Sequence, residues 1–147
     1  MSREKLQEIL AALVPFARSQ LEELGHCPPV AAGLDGAGEI DLLLPPANVE
    51  GSTESFLDVL RTALRAGARR HEYDAVGLCA EVQAQRLDDP QPIDAICVHL
   101  EAPGESLQYF VPYTRTRDDG IDYGETFFGP AEPEIFEIDG VAPQSIP

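Results

Sequence analysis

Between Tyr73 and Tyr113 apolar side chains return at every second position in three successive runs. Val76, Leu78, Ala80 and Val82 form the first row, Ile96, Val98 and Leu100 the second, and Leu107, Tyr109 and Val111 the third. A strand turns successive side chains to opposite faces, so rows of this kind predict an antiparallel sheet with one buried face. Loops at 87–92 and 102–106 separate the runs, and Pro90 and Pro92 keep the first of them out of the ladder.

Upstream the period changes. Leu6, Ile9, Leu10, Leu13, Ala17, Leu21 and Leu24 recur at threes and fours, which predicts a helix over 3–24 with one buried stripe and Ser2 as its cap. Pro15 removes a backbone donor and crowds the preceding turn, so a kink or break is expected near 11–14. Gly25 supplies a left-handed stop. Two short strands, 30–34 and 39–44, flank the turn Asp35-Gly36-Ala37-Gly38. The second arm is the more apolar and is expected inside the sheet, with the first, rich in Ala and Gly, as the weaker strand. A second helix begins at Ser52 or Thr53, buries Phe56, Leu57, Leu60, Ala63 and Leu64, and stops at Gly67. A last strand is expected over 121–128.

The fold class that follows is α+β, in the order α-β-β-α-β-β-β-β, with two helices packed on one face of a mainly antiparallel sheet of about five to six strands. Residues 1–138 form a single domain and 139–147 a flexible tail.

Charge changes the picture of possible partners. The 147 residues carry 26 acidic and 10 basic side chains, a net charge of −16. Such a surface repels phosphate backbones and anionic lipid, which makes nucleic acid and membrane poor partners and a basic protein or a cation plausible ones, while the plain reading of the charge is solubility alone. No charged start leads into an apolar stretch, and no run reaches the roughly 18 apolar residues of a membrane span, which points to a cytoplasmic protein. Three cysteines at irregular spacing are read as reduced thiols. Arginine far outnumbers lysine, a usage associated with bacterial genomes of high GC content.

The order of elements over residues 3 to 115 resembles that of the profilin-like and roadblock-like small domains, and the Pro15-Phe16 pair ahead of an Asp-Gly hairpin resembles small uncharacterised bacterial α+β families. These resemblances imply a fold and carry over no functional residue.

Candidate chemistry lies on the sheet face opposite the aliphatic rows. With the hairpin centred on Asp88, Cys79 faces Cys97 and Gly77 faces His99, so that Cys79, Cys97, His99 and Glu81 share a patch. A thiol beside an imidazole is the minimal nucleophile arrangement, and Cys/His sets bind zinc. Neither a C-x-x-C nor an H-E-x-x-H spacing accompanies them, so packing is the expected role, with no catalytic set, cofactor or metal. His26-Cys27 reads as a helix end, and Asp118, Asp119, Asp122 and Glu125 as a solvated acidic loop. The second face, mildly apolar at Gly77, Cys79, Ala95, Cys97 and Phe110, needs a cover, either the C-terminal segment or another molecule. The expectation is a non-enzymatic interaction or regulatory module that binds a protein partner or forms a homodimer. The alternative is a small-molecule or metal-binding enzyme that uses the Cys/His face, favoured by a pocket there and disfavoured by a cover over it.

Overall fold

The computed structural model describes residues 2–44, 52–84, 91–118 and 120–136. Two helices and seven strands follow in the order α1 (Ser2–Leu24), β1 (Val30–Leu34), β2 (Ile40–Leu43), α2 (Thr53–Arg69), β3 (Ala75–Ala84), β4 (Ile93–Ala102), β5 (Glu105–Arg115), β6 (Ile121–Tyr123) and β7 (Phe127–Pro130). The strand order is β2-β1-β3-β4-β5-β6, with β7 beside the first half of β5, and every pairing is antiparallel. The α+β class and the order of elements are those the periodicities predict, and the expected last strand is divided into β6 and β7.

The helices cover the sheet from opposite sides, not from one. Leu6, Ile9, Leu13, Ala17 and Leu21 of α1 pack with Ala32, Leu34, Ala75, Cys79, Ile96, Val98 and Leu100, whereas Leu57, Leu60 and Leu64 of α2 pack with Ala31, Val76, Leu78 and Ala80. Consecutive strand residues thus divide between the two clusters, which makes β1 and β3 central layers buried on both faces. The cause is register. Cys79 pairs with Val98 and Ala80 with Cys97, one residue from the pairing expected, and a slip of one moves a whole row to the other face. The row of β3 therefore faces α2, while the rows of β4 and β5 face α1.

The hairpin roles are exchanged as well. β1 lies between β2 and β3, and β2 is the edge, with Leu42 and Leu44 exposed. Small side chains suit a strand sandwiched between two helices. A Cβ at Gly33 of β1 or at Gly67 of α2 would fall 2.3 Å from the ring of Tyr73, so both glycines make room for that ring. Gly67 is accordingly a packing residue and not a stop. The helix continues to Arg69 and ends where Glu72 N–H donates to the Gly67 carbonyl and His71 N–H to the Ala68 carbonyl, with His71 at φ +60°.

Helix α1 runs through Pro15 without a break, and Gly25 ends it at φ +81° as its residue type predicts. Ser52 caps α2 by accepting from Ser55 N–H. The expectations for 45–51, for most of the 87–92 loop and for the 139–147 tail fall outside the described residues.

Candidate functional site: a buried carboxylate and imidazole beneath a C-terminal strap

The face of β4 turned toward α2 carries Ala95, Cys97, His99 and Glu101. Glu101 is wholly buried and His99 is 5% exposed. They lie two positions apart on one strand, so they project the same way, and His99 Nε2 is 2.8 Å from Glu101 Oε1. An ionised carboxylate has no proton to give, so the imidazole donates.

Over them passes a strap, residues 131–136, which follows β7 without regular structure. The backbone N–H groups of Glu134, Ile135 and Phe136 all donate to the Glu101 carboxylate, at 2.7, 2.8 and 2.6 Å. Burial alone would raise the Glu101 pKa. The His99 contact and the three N–H donors outweigh it and hold the carboxyl below its ordinary range. The strap has further anchors. Ser106 hydroxyl donates to the Ala131 carbonyl (2.7 Å) and Arg65 Nε to the Glu134 carbonyl (2.8 Å). The Glu134 carboxylate lies 2.9 Å from Arg61 Nε and 3.5 Å from His99 Nδ1. Ile135, 2% exposed, completes the apolar cluster under α2. The cover that this face was expected to need is therefore α2 together with the strap.

The candidate residues named from sequence are separated by this arrangement. Cys97 and His99 share the α2 face, while Cys79 points to α1, where it meets Cys27. Contact with the Cys27 thiol, then burial, raises the Cys79 pKa well above normal. Burial, then the Glu134 carboxylate, pushes Cys97 up to about 11, so neither thiol is poised as a nucleophile at neutral pH. Glu81, on the same face as Cys79, accepts from the Tyr113 hydroxyl (2.6 Å) and from Cys27 N–H. It ties the exit of α1 to β3 and β5. Cys27 is buried beside it, and His26 is exposed. Asp118, Asp122 and Glu125 lie at the surface, and Asp119 is outside the described residues. Among the described residues no group of three or more His, Cys, Asp or Glu side chains is arranged to hold a metal ion.

Sequence reasoning missed Glu101 and Glu134. The signal for Glu101 was present, since continuing the row Cys97, His99 by two positions reaches it. Glu134 had none, because its partners come from α2 and β4, far away in the chain. Arg61 and Arg65 of α2 hold the strap. Among the described residues no helix is long and apolar enough to cross a membrane. No protein-family model matches the chain, no curated protein matches it, and no solved structure matches it.

Proposed function

We propose that the chain is a non-enzymatic protein-interaction module that receives a basic partner along the β2 edge. The observation that carries this reading is β2 itself. It pairs only with β1 among the described strands and leaves Leu42 and Leu44 45% and 57% exposed. An open edge offers unpaired backbone donors and acceptors to an added strand, and exposed leucines give that strand apolar side chains to cover. Asp35, Glu39 and Asp41 sit on the same hairpin in a chain of net charge −16, which selects a positively charged partner and disfavours a second copy. The enzyme reading requires Cys79, Cys97 and His99 around one opening. Strand register sets the two thiols on opposite faces, and the strap lies over His99.

The test compares the native chain with Leu42→Lys, which places a charge on the edge. Expected is a basic protein that co-purifies stoichiometrically with the native chain, rebinds when purified and is lost from the variant. A native chain that sediments as a partner-free monomer in its own cell extract, or a partner that binds the variant equally well, overturns the proposal.

A further inference from the structure

The strap is held as a bound peptide is held. It adds no strand to the sheet, and its anchors are side chains of α2, β4 and β5 that reach its backbone and two of its side chains. Glu101 collects three consecutive N–H groups, and Arg65 and Ser106 donate to two carbonyls. Those contacts accept any sequence. Selectivity comes from the side chains. Arg61 pairs with the Glu134 carboxylate, with His99 Nδ1 3.5 Å away, and Ile135 belongs to the apolar cluster of Leu57, Leu60, Leu64 and Leu78. In a molecule with 26 acidic and only 10 basic residues, two guanidiniums converge on this seat beside the Glu101 carboxylate and the His99 imidazole.

We propose that the seat between α2 and β4 is a recognition site for a linear peptide carrying an acidic residue followed by a branched aliphatic one, occupied in the resting molecule by the chain's own Glu134 and Ile135. This site is separate from the β2 edge and takes a partner of the opposite charge. Buried anchors that read backbone, one acid and one aliphatic side chain are the components of short-motif recognition. Pro130 and Pro133 bracket the approach and stiffen the tether. A tethered occupant competes at high effective concentration, so an external peptide enters only when the cis contacts are weakened.

The experiment uses the full chain and a blocked, fluorescent peptide with the sequence of residues 131–136. Ile135→Ala in the protein should bind that peptide saturably and about 10-fold or more tighter than the native chain does. Peptides with Ile135→Ala or Glu134→Lys should not bind it. Glu134→Ala in the protein provides a second weakened occupant, since its side chain lies nearer the surface than Ile135, and thermal unfolding verifies that either variant is folded. Three results overturn the proposal: no saturable binding to either variant, equal binding of the Glu134→Lys peptide, or concentration-dependent dimers of the variants without peptide, which would assign the seat to a second copy.

Discussion

His71 holds φ at +60°, a conformation that costs a non-glycine residue about 1 kcal/mol, because the last turn of α2 needs a left-handed residue there. His71→Gly is expected to stabilise the protein by about 0.5–1 kcal/mol in denaturant titration. Glu101 has the opposite character, since its neighbours are built around its charge. Glu101→Gln keeps the size and removes the acceptor charge from three N–H groups and His99, at an expected cost of about 3 kcal/mol. The sign of its pH dependence follows from a folded pKa below the ordinary 4.5. Above the range in which an unfolded carboxyl titrates, the contribution of Glu101 is complete, and it is lost as pH falls through the lower folded value. Stability measured from pH 6 downward should therefore fall more steeply in the native chain than in Glu101→Gln. If the two profiles run parallel, Glu101 is not an ionised anchor. Among the thiols, Cys97 is half-buried while Cys27 and Cys79 are buried. An aromatic disulfide reagent should label Cys97 first and Cys79 last, all more slowly than in the unfolded chain.

At the scale of elements, each face of the sheet has its own cover and its own core. Helix α1 is joined to the edge strand β6 by Arg18 over the Tyr123 ring at 4.6 Å and by the Tyr123 hydroxyl donating to Glu22 at 2.6 Å. Helix α2 relies on Leu57, Leu60, Leu64 and the inserted Ile135. Leu60→Ala is expected to cost about 2 to 5 kcal/mol, as for other buried leucines, and because Leu60 shares its cluster with Ile135 it should also speed hydrogen exchange of the strap amides. Unchanged exchange at 134–136 would show that α2 and the strap are not one cooperative unit.

For the whole molecule the excess of carboxylates sets the response to salt. Arg3 with Glu105, Lys5 with Asp74 and Arg61 with Glu134 use several of the few cations in specific pairs, in a chain with 26 acidic residues against 10 basic ones. Moderate NaCl screens that repulsion, so the midpoint of thermal unfolding should rise between very dilute buffer and about 0.15 M salt. A flat or falling midpoint would mean that the pairs already neutralise the field.

What the sequence determined by itself was local. The three-and-four spacing in α1 and α2, the alternation in β3, β4 and β5, the Asp35 turn and the Gly25 cap depend on neighbours a few residues apart, and all are present. What only tertiary structure decided was which side of the sheet each row faces. That choice turned on a single residue of register in the β3–β4 hairpin, and it separated Cys79 from Cys97 and the two helices from each other. The exchange of interior and edge between β1 and β2 was likewise beyond composition, because small residues read as a weak strand until two helices and the Tyr73 ring are packed against them. The strap was least legible of all. Its anchors join residue 101 to 134–136 and helix α2 to residue 134, and no local pattern records a contact whose partners are more than 30 residues apart.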